Sequence, residues 1–376
     1  MNVSDFLPTA RRELLHTAQL RRLGLPDRAI AARVRGGELV RLRPGYFVGA
    51  ALWESLFPEQ RHTLVLLAAQ RAAAGPLAFS HRSAAVLHDL PVWSAWLGQR
   101  SPDVRRAQTT VARRARGGVN QVMARHVAAL PPCDLTEVHG FAVTTAERTL
   151  LDLARGDEFS VALAAADAFL VRAVERSRDG RGSGGHGRNQ YGGDGYGGDG
   201  YGGDAHREAL AAWRSRALES VARQSGNPGV RAQRALVALA DSRAESPLET
   251  LSRLRFLQLG VAVDIQVPVM AESGGALRLD FVLTGLGVWG ECDGKAKYTD
   301  ASMRRERTPE EVVYAEKRRH DWVAGTTGMR CIRWGVREVV TRDRFAAHLR
   351  AHGIAVPGAP SRALGPAVAG FLAGLP

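Results

Sequence analysis

Glu291 and Asp293 stand one residue apart in the stretch VWGECDGKAKY (288–298), with Gly294, Lys295 and Lys297 immediately behind them. Upstream, ALRLDFVL (276–283) alternates so that Leu279, Phe281 and Leu283 share one strand face, while Arg278, Asp280 and Val282 share the other. By the same parity Trp289, Glu291 and Asp293 fall on one face, with Cys292 opposite. Thr284-Gly-Leu-Gly287 reads as a hairpin loop between the two runs. Pairing Leu283 with Val288 then sets Asp280 directly opposite Glu291, with Cβ atoms about 4.5–5.5 Å apart and Asp293 on the diagonal at about 7–8 Å. Like charges that close destabilise the pair unless something offsets them.

Three compensations are available. Crowded carboxylates raise one another's pKa and can take up a proton. Lys295 or Lys297 can supply positive charge. A divalent cation, Mg²⁺ or Mn²⁺, accepts hard oxygen ligands, commonly one or two carboxylates completed by water and substrate phosphate. Such an ion activates water and offsets charge on a leaving oxygen, and a lysine beside it stabilises the phosphoryl transition state. Taken singly, each acid also has an ordinary reading. Asp293-Gly294 is a turn signal, Glu291 can pair with Arg278 or Lys295 on the surface, and Asp280 can be a strand-edge charge.

The elements that must position these residues are readable nearby. SPLETLSRLRFLQLG (246–260) starts a helix with Ser246 as N-cap and Pro247 in the first turn; Leu248, Leu251 and Leu254 form its apolar stripe. Glu249 sits at its start, where it can point outward. VAVDIQVPV (261–269) reads as a further strand. Thr308-Pro-Glu-Glu311 is a capping box opening the helix EEVVYAEKRRHDWVAG, which carries Lys317, Arg318, Arg319 and His320 and suits contact with a phosphate backbone. MRCIRW (329–334) reads as a buried strand.

Glu249 on a helix, Asp280 in LRLDF, and Glu291-Cys-Asp293-Gly on an adjoining strand together resemble the PD-(D/E)XK nuclease superfamily. More closely, they resemble its branch related to very-short-patch-repair endonucleases, over residues 246–334. The resemblance implies a restriction-endonuclease-like α/β/α domain that hydrolyses DNA phosphodiesters. It also implies metal ligation by Glu249, Asp280 and Glu291, and a polar site residue at Gln266. Asp293 occupies the place of the motif's lysine, so Lys295 or Lys297 must serve instead, or catalysis is weak or absent. Asp280, Glu291, Asp293, Lys295 and Lys297 are therefore the candidate catalytic set.

The whole chain fits a polyanionic partner. Its 376 residues carry a formal charge of +13 and a pI of about 10.6, which favours nucleic acid through counterion release. No apolar run has the length of a membrane span, and MNVSDFLPTARRELL lacks the pattern of a secretory signal, so a cytoplasmic location is expected. Cys133, Cys292 and Cys331 are far apart and offer no zinc spacing.

Residues 179–205, with Tyr191, Tyr196 and Tyr201 in a five-residue repeat, read as a disordered insert or linker. Ahead of it, TARRELLHTAQLRRLG and PDRAIAARVRGG are helix-like, with Pro26 suited to a first helical turn. LVRLRPGYFV turns at Pro44-Gly45 as a hairpin would. Helix, helix, hairpin is the order of a winged helix, and residues 1–45 hold nine Lys/Arg against four Asp/Glu. Arg33 and Arg35 on the second helix, and Arg41 and Arg43 in the hairpin, are expected to touch DNA, as are Lys317, Arg318 and Arg319.

In SHRSAAVLH, Ser80 reads as a helix cap, and His81 and His88, seven apart, can share a face. Arg148 and Asp152 are spaced as a helix-surface ion pair. The runs TAQLRRLG, GGELVRLRPGYFV, FSHRSAAVLHDLP and VTTAERTLLDLAR resemble the AbiEi-type antitoxin family of bacterial toxin–antitoxin systems, over residues 9–175. That resemblance implies a winged-helix DNA-binding head followed by a mixed α/β region.

The expected fold is thus multi-domain α/β: winged helix to residue 60, antitoxin-like region 61–178, insert 179–205, helical connector 206–245, nuclease-like domain 246–352 and a tail 353–376. The expected function is metal-dependent DNA cleavage. The alternatives are a non-catalytic antitoxin-like transcriptional regulator with a degenerate nuclease fold, or an adaptor that binds a protein toxin.

Overall fold

The computed structural model describes residues 2–92, 104–112, 117–156, 158–181, 203–224, 226–293 and 309–376. Lys295, Lys297, Thr308 and the tyrosine repeat lie outside them. The described chain is mixed α/β and divides into two compact units, the first drawn from residues up to 165 and the second from residue 166 onward. No helix among the described residues is long and apolar enough to cross a membrane.

The first unit opens with α1 (Val3–Glu13), β1 (Leu15–His16), α2 (Thr17–Arg22), α3 (Asp27–Arg35), β2 (Leu39–Arg43) and β3 (Tyr46–Gly49). The stretch that reads as one helix from Thr9 is broken at Leu15–His16, which pairs antiparallel with Phe47 and Tyr46. The break is stable because a new helix is capped there. The Ala18 N–H donates to His16 Nδ1, and the His16 N–H donates to Gln19 Oε1 at 2.8 Å. Pro26 precedes α3 as its N-cap. Leu20, Ile30, Leu39 and Phe47 bury together and fix α2 and α3 against the β2–β3 hairpin, whose turn uses Gly45 at φ +83°.

Next come α4 (Ala50–Ser55), α5 (Pro58–Ala72), α6 (His81–Leu87), β4 (Ala107–Val111), β5 (Gly118–Val119), β6 (Met123–Val127), β7 (Leu135–Val138), β8 (Phe141–Thr144) and α7 (Ala146–Gly156). Phe79 bridges β4 and β8 through Thr109 and Val143. Ser80 makes no cap bond to α6; its hydroxyl lies 3.0 Å from His81 Nδ1. His81 has φ +52° and stacks on His126, whereas His88 turns to the Thr144 carbonyl, so the two histidines do not act as one face. Arg148 and Asp152 are buried on α7 rather than exposed, for Arg148 also binds Asp134 at 2.6 Å.

The second unit takes α8 (Phe159–Arg181) from its residue 166, then α9 (Gly203–Arg223), α10 (Val230–Leu239), α11 (Pro247–Leu259), β9 (Val263–Met270), β10 (Ala276–Leu283) and β11 (Val288–Cys292). It closes with α12 (Pro309–Thr327), β12 (Arg330–Trp334), α13 (Val336–Val339), α14 (Arg342–Ala351) and α15 (Pro366–Ala373). The sheet runs β12-β11-β10-β9; β11 and β12 are parallel and the other neighbours antiparallel. One face packs on α11, α13 and α14 through Phe256, Phe281, Trp334 and Phe345; the other packs on α12 through Trp289 and Val323. β12 alternates instead of burying throughout, with Ile332 and Trp334 in the core and Arg333 exposed.

Candidate functional site

The β10–β11 register places Leu283 opposite Val288 and Phe281 opposite Gly290. The side-chain alternation along β10 is not simple, however. Leu277 and Leu279 pack with Trp289 toward α12, while Phe281 and Leu283 pack with Phe256 toward α11. β9 changes face at the same level, with Ile265 on the α11 side and Val269 on the α12 side. Between them Gln266 holds φ +53°, a left-handed conformation that a non-glycine residue adopts at a cost of about 1–3 kcal/mol. Both strands therefore rotate at Gln266 and Asp280. This overturns the expectation that Leu279, Phe281 and Leu283 share a face.

The rotation separates the acids into two groups. Asp280 Oδ2 accepts from the Cys292 N–H at 3.2 Å and lies 3.8 Å from Cys292 Sγ. Glu249 does not point outward. It is buried, with Oε2 accepting from the Glu245 N–H and from Gln266 Nε2, both at 2.9 Å, and Oε1 accepting from the Ser246 hydroxyl at 2.8 Å. Burial is the main cause of its raised pKa, and these hydrogen bonds work against it.

Glu291 belongs to the second group, with Trp289 on the α12 side. Its side chain is 7% exposed and its carboxylate is bound by two guanidiniums that sequence reasoning did not pair with it. Arg319 Nη1 donates to Oε1 at 2.6 Å; Arg333 donates through Nε to Oε2 at 3.0 Å, with its Nη2 2.8 Å from the same oxygen. Arg278 instead meets Glu245 at 3.6 Å and gives its carbonyl to Arg319. Burial, then the negative Glu291, push the nearby Cys331 thiol up to about 12, which keeps it protonated. Asp293 continues the strand by donating its N–H to the Trp334 carbonyl at 2.9 Å.

The surroundings hold α11, and with it Glu249, in place. Buried Asp167 on α8 accepts from the Asp241 N–H, the Thr250 hydroxyl and Arg253, each at 2.8 Å. Trp334 Nε1 donates to Ser252 Oγ at 2.8 Å, tying the helix to β12. Gly290 leaves room for Trp334, since a Cβ at that position would overlap the indole ring.

The proposed DNA-facing cations are partly committed elsewhere. Arg318 pairs with Glu272 at 2.8 Å, Arg33 lies 3.7 Å from Glu38, and Arg43 is half-buried, which lowers its pKa. Lys317, Arg35 and Arg41 are exposed, and so is Arg28 on α3, which the sequence reading passed over. Arg333 was missed because its link to Glu291 depends on β12 lying parallel to β11, where the two residues are register partners.

Among the described residues, no three His, Cys, Asp or Glu side chains are grouped to hold a metal ion. Glu249 and Asp280 nevertheless fit a hard divalent cation in donor chemistry, being two carboxylates from different elements whose mutual repulsion is one cause of Glu249's raised pKa. Glu291 fits only with its guanidinium partners displaced. No protein-family model matches the chain, and no curated protein matches it either.

Proposed function

We propose that the second unit cleaves DNA phosphodiester bonds with a divalent cation held by Asp280 and Glu249, and that α2, α3 and the β2–β3 hairpin act as a winged helix gripping the duplex. The observation that carries this reading is the rotated crossing of β9 and β10. A strained Gln266 holds Glu249 by a hydrogen bond just where Asp280 leaves its strand face, and strain of this kind collects at functional sites. The resemblance of Glu249, Asp280 and Glu291 to the PD-(D/E)XK pattern supports the same assignment.

In this reading Asp280 and Glu249 hold Mg²⁺ or Mn²⁺, which supplies an activated water and offsets charge on the leaving oxygen. Gln266 and Ser246 fix the Glu249 carboxylate, and the Cys292 N–H orients Asp280. Exposed Lys317 on α12, and Arg28, Arg35 and Arg41 in the first unit, bind backbone phosphates.

The test is nicking of supercoiled plasmid and labelled oligonucleotides in Mg²⁺ and Mn²⁺. Asp280→Ala is expected to abolish cleavage while leaving duplex affinity unchanged or slightly raised, because a negative charge near phosphate is gone. Cleavage that persists in Asp280→Ala removes this site from the mechanism.

A second reading, the non-catalytic regulator, is favoured by one observation. Two arginines already neutralise Glu291, so that carboxylate needs no cation in the conformation described. It predicts tight duplex binding with no cleavage on any substrate. A protein toxin as partner would appear as a co-purifying chain.

A further inference from the structure

Arg319 and Arg333 come from separate elements, α12 and β12, and both end on the Glu291 carboxylate. Arg319 Nη1 donates to Oε1, while Arg333 Nε donates to Oε2 with its Nη2 close to the same oxygen. The Glu291 side chain is 7% exposed, whereas those of Arg319 and Arg333 are 34% and 40% exposed. The acid is thus the buried base of the group, and the guanidiniums are its outer surface.

Each fork is also fixed on a second side. Arg319 Nη2 donates to the Arg278 carbonyl at 2.9 Å, and Arg333 Nη2 lies 3.1 Å from Glu316 Oε1 on α12. A guanidinium carries five N–H donors, and none of these contacts uses Arg319 Nε or Arg333 Nη1. Donors therefore remain for an outside ligand. A side chain ordered before binding also gives up little further freedom when the ligand arrives.

We propose that Glu291 is a positioning residue rather than a metal ligand: it holds Arg319 and Arg333 side by side as a clamp for one backbone phosphate of a DNA duplex. The inference rests on the proposed DNA binding and involves no metal ion. A planar guanidinium fork matches the oxygens of a phosphodiester as it matches those of a carboxylate, and the formal charge of +13 draws a polyanion to it. Glu291 lowers the net charge of the group, so what it contributes is geometry.

The test is duplex affinity of the full-length protein, read by fluorescence anisotropy at several salt concentrations in EDTA, where no divalent ion contributes. Arg319→Gln and Arg333→Gln are each expected to weaken binding by about tenfold, the scale of a lost hydrogen bond to a charged group. Together they should reduce the steepness of log affinity against log salt by about 0.9, the share of one phosphate. Glu291→Gln makes the protein more positive, yet should weaken binding several-fold because the forks lose their common anchor. In the Arg319→Gln/Arg333→Gln background the same change should not weaken binding further. Arg330→Gln removes an equal charge from the opposite face of β12, where Arg330 donates to the His352 carbonyl, and should leave the slope unchanged.

Unchanged or tighter binding in Glu291→Gln overturns the clamp, as does an equal loss of slope in Arg330→Gln. Should Glu291→Gln melt below the assay temperature, the arginine variants decide. A slope that falls with Arg35→Ala and Arg41→Ala, but not with Arg319→Gln/Arg333→Gln, overturns the clamp and leaves duplex binding by the winged helix standing. No duplex binding by the wild type overturns both.

Discussion

Arg148 is 4% exposed and bound on several sides: Asp152 at 3.0 Å, Asp134 at 2.6 Å and the Ala129 carbonyl at 2.9 Å. Removing it strands two carboxylates in a region with little water to screen them. Arg148→Ala is expected to lower the stability of the first unit by about 3–5 kcal/mol, well above the few tenths of a surface helix pair. A urea titration monitored by circular dichroism measures this through the shift in midpoint. The i, i+4 spacing of Arg148 and Asp152 is visible in the sequence, yet the third partner, Asp134, comes from a loop brought back by the β7–β8 hairpin. Spacing identifies a pair; it does not show burial. The same limit hid Arg333 from Glu291, whereas Asp280 and Glu249 stand out locally, as a carboxylate on an apolar strand and a Glu at a helix start; Gln266 was reached only through the family resemblance.

At the scale of elements, β11 depends on Gly290. The residue before Glu291 must be small because Trp334 of β12 lies over it, packed against Phe281 and Phe256. Gly290→Ala is expected to cost about 1–3 kcal/mol as the indole is forced aside, seen as a lower Tm in a thermal melt. α6 offers a pH test. The half-buried His88 donates Nε2–H to the Thr144 carbonyl at 2.8 Å, and burial, the largest influence, holds its pKa below the ordinary histidine value. The unfolded chain therefore binds a proton at a higher pH than the folded one does. This contribution to stability is present above the ordinary histidine range and is lost as pH falls through it. Wild type should melt lower at pH 5 than at pH 8, and His88→Gln should reduce that difference. The element order helix, helix, hairpin and the β10–β11 register were open to sequence reasoning because each follows from local alternation and turn residues. The break at Leu15–His16 and the rotation at Gln266 were not, since both arise from pairing with a distant strand.

Across the whole molecule, a formal charge of +13 gives the protein a field that attracts polyanions, but specific contacts must come from cations that are not already paired. Arg35 and Arg41 are exposed, while Arg33 lies near Glu38 and Arg43 is half-buried. If Arg35 and Arg41 each neutralise one phosphate, Arg35→Ala and Arg41→Ala should each reduce the steepness of log affinity against log salt by about 0.9. Arg43→Ala should leave that slope unchanged. Fluorescence anisotropy with a labelled duplex at several salt concentrations measures both. Total charge is plain from composition; which arginines are spent inside the protein is decided by folding.

Trp289 and Trp334 sit in neighbouring parallel strands yet face opposite sides of the sheet. Trp334 gives its indole N–H to Ser252, whereas the buried Trp289 N–H finds no hydrogen-bond partner among the described residues and its ring lies 5.7 Å from the His320 imidazole on α12. The two indoles are therefore spectroscopically unequal. Trp289 should emit to the blue and change in intensity when α12 shifts, while Trp334 stays indifferent. With the other six of the seven tryptophans replaced by Phe, Trp289 becomes an optical gauge of the helix that bears Arg319, and motion over Glu291 can be followed in real time without a label.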